Sequence, residues 1–306
     1  MNYRPEGCIY DSPKNQRYIS SQEGLSEAMN SGIILEARVK LCTSSHDLIV
    51  DLPCARGIIP REEGAIGVKE GNTRDIALIS RVNRIVCFKV TELVLGDNDE
   101  LTAILSRREA QLECTRNYIS TLSAGEIIEA RVTHLEKFGS FVDIGCGIPS
   151  LIPIDALSVS RISHPSDRFT TGQLIKAVVT GREDGRILLS HKELLGTWEE
   201  NAACFGTGET VPGIVRSTED YGIFVELTPN LAGLAEPREG IKAGQSVSVY
   251  IKAILPDKMK IKLIIVDVCC QHSEPMPFRY FKDSGKLDVW RYSTESSGKD
   301  IKTVFT

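Results

Sequence analysis

The sequence predicts an all-β chain of three tandem five-stranded barrels, and three observations support this. The letters EARV occur at residues 36–39 and again at 129–132, at the start of two units of similar length. The motif aromatic-Gly-x-Phe-Val-acid occurs at 138–143 and again at 221–226, equally far after Gly125 and Gly208. Each unit also alternates apolar and polar residues over short runs bounded by turn residues, which is typical of strands.

The predicted strands follow this alternation through the second and third units. In the second unit they lie near 126–135, 139–145, 149–153, 173–181 and 185–190. In the third unit they lie near 209–217, 222–228, 232–236, 246–255 and 259–266. Five short strands with a longer connection between the third and the fourth are typical of the OB-fold, a small Greek-key barrel.

These units divide the chain into six predicted segments. They are an N-terminal arm (1–24), extended or poorly ordered up to residue 22 and followed by a short helix over 21–30, a degenerate first OB-fold domain (25–112), a second OB-fold domain (123–195), a helical linker (196–207), a third OB-fold domain (208–268) and a C-terminal extension (269–306). We expect Trp198 of the linker to pack between barrels. The extension is predicted to form an aromatic β-hairpin from 278–281 and 287–292 that packs on the third barrel, and 301–305 could add another strand.

Composition limits the possible functions. The chain has 306 residues and nine cysteines, an odd number without a C-x-x-C pair, so we expect reduced thiols, no metal site and a cytoplasmic location. No signal-peptide pattern or membrane-length apolar run is present. The net charge of -5 argues against binding that depends mainly on phosphate neutralisation.

The repeated motif suits base stacking. Alternation that points Val142 into the core points Phe141 and Asp143 outward, and the same step exposes Phe224 and Glu226 in the third unit. An exposed aromatic beside glycine can stack a nucleobase, whereas a plainer interpretation makes these rings part of a core or a domain contact. Their repetition at equal spacing favours stacking.

The motif series resembles the S-one RNA-binding domain family, through FGSFVD, GQLIKAVV and GRILLSHKE in the second unit and YGIFVEL, GLAEP and GQSVSVYIKAI in the third. The tandem arrangement resembles a compact three-copy form of the bacterial small-subunit ribosomal protein S-one family. This resemblance implies OB-fold barrels whose binding face carries two aromatics, a His, an Asp and an Arg.

Carried over residue by residue, the resemblance assigns a stacking pair to each of two barrels. The residues assigned by it are Phe138, Phe141 and Arg186 in the second unit, with Arg182 or Gly181 at the Asp position, and Tyr221, Phe224 and Lys260 in the third. The His positions hold Pro153 and Glu236. Both units therefore keep the two aromatic residues of the family's binding face, whereas the positions of its His and Asp hold other residues.

The first unit departs from this pattern. One alignment places Ser45 and Leu48 at the aromatic positions, and a slip of one residue places His46 and Ile49 there. Neither supplies two aromatics, so we expect this barrel not to stack bases.

Two basic clusters are candidates for phosphate contacts. One comprises Arg161, His164 and Arg168 in the long loop of the second unit; the other comprises Lys258, Lys260 and Lys262, with Lys252 and Lys176 as extensions. An ordinary solvated face is the alternative for the lysines. His134, one strand from Phe138, suits either an RNA contact or an ordinary rim histidine.

The sequence therefore predicts a non-enzymatic single-stranded RNA-binding protein of the translation apparatus, acting on mRNA at the small ribosomal subunit. No P-loop, G-x-S-x-G or H-E-x-x-H motif is present, and we expect no cofactor, no membrane partner and no DNA specificity. The alternative is a protein-docking or regulatory factor that binds the ribosome or an RNA-processing partner and has little RNA affinity of its own.

Overall fold

The computed structural model describes residues 3–96, 100–270 and 275–306. The chain divides into two compact units. The first consists of Met1–Leu122 with Asp143–Pro149, and the second of Ser123–Val142 with Ser150–Thr306. In the part of the chain described here, no helix combines the length and the apolar character needed to cross a membrane.

The first unit begins with two helices, α1 (Pro13–Ile19) and α2 (Gln22–Ser31). Each starts at a serine whose hydroxyl accepts an N–H of the first turn, and α2 ends at Gly32 in the left-handed region, with φ of 61°. The expectation of an extended or poorly ordered chain up to residue 22 was therefore wrong because of α1, whereas α2 confirms the short helix predicted over 21–30. The arm folds because the apolar side chains of α1 are buried in the core of the first barrel.

The first barrel is closed, with strand order β1-β2-β3-β5-β4. Its strands are β1 (Leu35–Cys42), β2 (Leu48–Leu52), β3 (Ala55–Ile59), β4 (Ile85–Leu95) and β5 (Leu101–Ser106). The insertion before β4 contains the short helix α3 (Ile76–Ile79), and α4 (Arg107–Asn117) follows β5. A core of Leu, Ile, Val and Phe residues fills this barrel.

Two further closed barrels follow, as the sequence predicted. The second contains β6 (Ile127–Glu136), β7 (Gly139–Asp143), β8 (Pro149–Pro153), β9 (Leu174–Glu183) and β10 (Arg186–Ser190), in the order β10-β8-β7-β6-β9. The third contains β11 (Thr210–Glu219), β12 (Gly222–Thr228), β13 (Leu231–Ala235), β14 (Ser246–Leu255) and β15 (Lys260–Cys270), in the order β11-β12-β13-β15-β14.

The linker between these barrels contains α5 (Trp198–Ala202), which starts with a capping box formed by Thr197 and Glu200. Trp198 is buried in a cluster that includes Val178 of β9 and Val215 of β11. The predicted packing of this tryptophan between barrels is therefore confirmed.

The C-terminal extension contains β16 (Val289–Arg291) and β17 (Lys302–Val304), which pair antiparallel. The predicted pairing of 278–281 with 287–292 was wrong. Phe278 instead contacts the rings of Phe169 and His191 edge-on, at centroid distances of 5.9 and 5.0 Å. These ring contacts pack the segment against the second barrel, and it packs there without pairing as a strand.

Three other aromatics of the extension pack against the third barrel as predicted. Trp290, Tyr292 and Phe305 are buried in the cluster that contains the core of the third barrel. Cys269 and Cys270 lie at the end of β15, while His272 lies outside the described residues. Over residues 3–96, 100–270 and 275–306, no group of three His, Cys, Asp or Glu side chains could hold a metal ion.

Candidate nucleic-acid interface

The second and third barrels each expose a pair of aromatic rings at the start of their second strand. The ring of Phe138 is 55% exposed and lies edge-on to half-buried Phe141, at a centroid distance of 5.9 Å and an interplanar angle of 88°. Tyr221 is 68% exposed and meets Phe224 at 6.2 Å and 87°. A flat ligand can stack on one ring of each pair while the other ring borders it.

The glycine inside each motif allows the neighbouring strand to approach. A Cβ at Gly139 would clash with the carbonyl oxygen of Ile152, and a Cβ at Gly222 would lie 2.7 Å from the carbonyl oxygen of Ala235. The second strand therefore pairs closely with the third only because these positions lack a side chain. This close pairing fixes the direction of the aromatic side chains on either side of the glycine.

Strand register places basic and apolar side chains beside the aromatic pair of the third barrel. Phe224 pairs with Leu234, and Leu234 pairs with Lys262 on β15. Paired residues point to the same face, and adjacent strands lie roughly 4.8 Å apart, so the backbones of Phe224 and Lys262 are separated by roughly 10 Å. Lys260 and Lys262 alternate with buried Ile261, so both lysines face outward.

The second barrel has the same arrangement with a different side chain. Leu151 pairs with Leu188 on β10, and exposed Arg186 lies two residues before Leu188. Arg186 pairs with Glu183 at the start of β10, and Lys260 pairs with Leu255 at the start of β15. The two cations therefore hold the same register position in their barrels. The apolar strip formed by Leu151 and Leu188, and the single Leu234 of the third barrel, were not predicted, because aliphatic residues in strands are usually assigned to the core.

The acids of the two motifs are buried, although we expected them to be exposed. Asp143 accepts hydrogen bonds from the backbone N–H groups of Glu6, Gly145 and Gly147, at 2.7 to 3.0 Å. Burial raises the pKa of Asp143 above its usual range. Strand alternation predicts that both acids face away from the barrel core. Each is nevertheless buried, because a segment distant in sequence covers it.

Arg168 covers the second acid, and this corrects its assignment to an RNA-facing basic cluster. Its guanidinium donates to both carboxylate oxygens of Glu226, at 2.8 and 2.5 Å, and to the hydroxyl of Ser158. Arg216 of β11 also donates to Glu226, at 2.8 and 3.2 Å. Burial lowers the pKa of Arg168, and the adjacent Glu226 carboxylate opposes that shift. Arg168 therefore forms a buried contact between the second and third barrels and is not available to RNA.

The other predicted basic residues have different environments. His164 is half-buried, and its Nδ1 accepts the N–H of Ser166, so this ring caps a short 3-10 turn. Lys252 lies 3.7 Å from Glu236, which offsets its charge. Among the predicted basic site residues, those exposed on the second or third barrel are Arg161, Arg182, Arg186, Lys252, Lys258, Lys260 and Lys262.

The register of the first barrel selects one of the two alignments considered. Leu41 pairs with Ile49, just as Ser217 pairs with Phe224, so Ile49 holds the phenylalanine position and His46 the outer aromatic position. Ile49 pairs with Ile58, and Ile58 pairs with Ile104. An aliphatic row therefore replaces the aromatic and basic row of the third barrel, and no aromatic pair is present there.

Comparisons with known proteins identify the family to which this chain is similar. Residues 121–192 match the family model described as the S1 RNA binding domain. The small ribosomal subunit protein bS1 of Leuconostoc lactis is 32% identical over 71% of this chain and 52% of its own length. The bS1 homolog of Bacillus cereus is 30% identical over 92% of this chain and 75% of its own length. The chain thus spans about half the length of the first relative and three quarters of the second.

A solved multidomain protein with nucleic acid binding domains from Streptococcus pneumoniae aligns with 76% of this chain and 73% of that chain. The TM-score is 0.26 and the identity 16%, values too low to add to the family assignment.

Proposed function

The chain belongs to the family of small ribosomal subunit protein bS1, and from this premise we propose that it is a non-enzymatic protein that binds single-stranded RNA in translation. The second and third barrels hold successive bases of one RNA strand by stacking. Its partners are mRNA and the small ribosomal subunit, and its place of action is the cytoplasm.

The repeated aromatic pair is the observation that carries this proposal. Two barrels present edge-on aromatic pairs with nearly equal distances and angles. The last strand of each barrel carries an exposed cation, Arg186 or Lys260, at the matching register position. A ring required only for packing would not need an outer partner that is more than half exposed. We assign the stacking to Phe138, Phe141, Tyr221 and Phe224. We assign phosphate contacts to Arg186, Lys260 and Lys262, with Arg161, Arg182, Lys252 and Lys258 at the periphery.

The charge of the chain sets the character of this binding. With a net charge of -5, the whole protein repels a polyanion at long range, and attraction comes from a few local cations. Stacking contributes on the order of 1–3 kcal/mol for each base and depends weakly on sequence. The proposed binding therefore tolerates many RNA sequences and has a shallow dependence on salt.

The test is the affinity of the full chain for a short unstructured oligouridylate, measured by fluorescence anisotropy. Changing Phe141 and Phe224 together to alanine is expected to weaken binding by at least about tenfold, because two stacked bases lose their platform. Ile49→Ala is the matched control, since Ile49 holds the same register position in the first barrel. Unchanged affinity in the double variant would contradict the proposal.

Association with the ribosome is tested separately by sedimentation with purified small subunits. Wild-type protein is expected to sediment with subunits that carry mRNA, and the double alanine variant to sediment less. Equal sedimentation of both proteins, combined with no affinity for free RNA, would instead identify a docking protein.

A further inference from the structure

We propose that His134 provides a third stacking surface in the second barrel, which gives this barrel one more nucleobase subsite than the third barrel. The inference rests on the proposed RNA-binding function. The His134 ring lies beside Phe141, with centroids 6.3 Å apart and an interplanar angle of 28°. Its side chain is 63% exposed. Phe138, Phe141 and His134 therefore form a continuous series of three rings on the barrel surface.

The position of His134 follows from the repeat. In the third barrel, Ser217 of β11 pairs with Phe224, and a bulge between Val215 and Ser217 adjusts the strand at that point. His134 stands as far after Gly125 as Ser217 stands after Gly208, and β6 is likewise the neighbour of β7. In the first barrel, Leu41 holds this place opposite Ile49. The three barrels thus carry leucine, histidine and serine at one structural position, and the second barrel alone has a planar ring there.

The surroundings of the imidazole favour a base over a phosphate. Glu136 lies two residues further along β6, and its Oε1 is 2.6 Å from Nε2 of His134. This carboxylate holds the ring in place and repels a phosphate that approaches the same edge. The face of the ring, tilted by 28° from the plane of Phe141, is the part that can accept a ligand. A neutral aromatic base fits that face.

The third barrel has Ser217 in place of a ring, so the proposal predicts a difference in affinity between the two barrels that can be tested. If each stacked base contributes on the order of 1–3 kcal/mol, the second barrel holds RNA more tightly than the third through His134. A histidine placed at Ser217 should then transfer this advantage to the third barrel.

The experiment measures binding of the full chain to oligoadenylates of increasing length by fluorescence anisotropy. His134→Ala is expected to weaken binding of the longer oligomers by about five- to tenfold, while His134→Phe retains affinity. The shortest oligomer bound at full affinity should become one nucleotide shorter in His134→Ala. Ser217→Ala is the matched control and should bind as wild type does, whereas Ser217→His should bind more tightly.

Three outcomes overturn the proposal. If His134→Ala binds as wild type does while Phe141→Ala is weakened, the third subsite does not exist and the proposed RNA-binding function stands. If neither variant is weakened, the RNA-binding function itself fails. An equal loss in His134→Phe and His134→Ala would also exclude stacking as the role of this residue. Thermal unfolding of each variant checks that the fold is retained, which is expected for an exposed side chain.

Discussion

Arg168 of the second barrel and Glu226 of the third form an ion pair with both side chains fully buried. The guanidinium and the carboxylate share two hydrogen bonds, at 2.8 and 2.5 Å. Arg216 of the third barrel binds the same carboxylate, and its Nη1 lies 3.4 Å from Asp167 of the second. Charges from both barrels alternate in this network, so neither barrel can move away without exposing an unpaired buried charge.

A second contact reinforces this connection. The side chain of Asn230, between β12 and β13, donates to the carbonyl oxygens of Lys192, just after β10, and of Gly196 in the linker, and it accepts the N–H of Val159. Its own carbonyl oxygen accepts a hydrogen bond from the hydroxyl of Tyr292 in the C-terminal extension. The second and third barrels, the linker and the extension are therefore held together by buried polar groups as well as by the shared apolar cluster.

Glu226→Gln should lower the free energy of unfolding of the second unit by about 3–5 kcal/mol, because it leaves the buried guanidinium of Arg168 without its anion and removes the carboxylate that Arg216 also binds. Urea denaturation followed by tryptophan fluorescence measures this change, since Trp198 and Trp290 are both buried in the affected unit. Glu239→Gln, which alters an exposed acid, is the control and should unfold as wild type does. A loss below about 1 kcal/mol would mean that the network contributes little to the stability of this unit.

A pH dependence is expected from His191, which is fully buried. The pKa of His191 is lowered from its usual 6.5 to about 4, mainly by burial and in addition by nearby Arg168, while a hydrogen bond to Leu157 opposes the shift. The unfolded chain therefore binds a proton at a higher pH than the folded protein does. The free energy of unfolding therefore has its full value above pH 6.5. It falls as the pH decreases from 6.5 towards 4, by about 3 kcal/mol in total for this residue.

The difference between wild type and His191→Gln isolates this contribution. Denaturation midpoints measured between pH 7 and pH 4 should fall more steeply for wild type, because the glutamine variant has no proton to gain at this position. Parallel curves for the two proteins would show that the ring is accessible enough to titrate normally in the folded state.

Gly139→Ala should disturb both the fold and the RNA face. The added Cβ would clash with the carbonyl oxygen of Ile152, so β7 and β8 must separate, and overpacking of this kind costs about 1–3 kcal/mol. Since β7 carries Phe141, affinity for RNA should fall together with stability. Gly181→Ala is the control, because nothing lies within 4 Å of a Cβ there and the third barrel carries Ala253 at the matching register. Equal behaviour of the two variants would contradict the role assigned to Gly139.

The sequence predicted the barrels well because each barrel is built mostly from local repetition. The spacing of 138–143 and 221–226 identified the second strands, and alternation placed the other strands within a few residues. The environment of the motif acids could not be predicted in this way. The chain covers Asp143 with Glu6, 137 positions away, and Glu226 with Arg168, 58 positions away. Alternation describes which side of a strand a residue faces, but it cannot identify the distant segment that covers that side.

The same limit explains two other errors. Arg168 looked like part of a basic surface because Arg161 and His164 are its neighbours in sequence, yet its partner lies in another barrel. The aromatic run at 278–281 looked like a strand, yet Phe278 and Tyr280 instead contact His191 edge-on. In both cases a long-range buried partner determined the outcome, and such partners have no signature in local composition.

Replacing Lys260 and Lys262 together with glutamine should weaken RNA binding mainly at low salt. Both lysines extend from β15 on the face that carries Phe224, whereas the stacking rings are left unchanged. For single-stranded nucleic acid, each phosphate contact contributes about 0.7 to the slope of log affinity against log salt, so the slope should become shallower by up to about 1.4. Anisotropy titrations with oligouridylate at several salt concentrations measure this slope.

The control for these lysines is Lys299→Gln, which removes an exposed charge from the C-terminal extension and should leave the slope unchanged. This comparison separates a local contact from the general effect of making an acidic protein more acidic. An equal change of slope per lysine in Lys299→Gln and in the double variant would mean that β15 carries no phosphate contact. A reduced slope in the double variant alone, with affinity at high salt retained, would place the RNA backbone along β15 and leave stacking as the part of the binding that salt does not weaken.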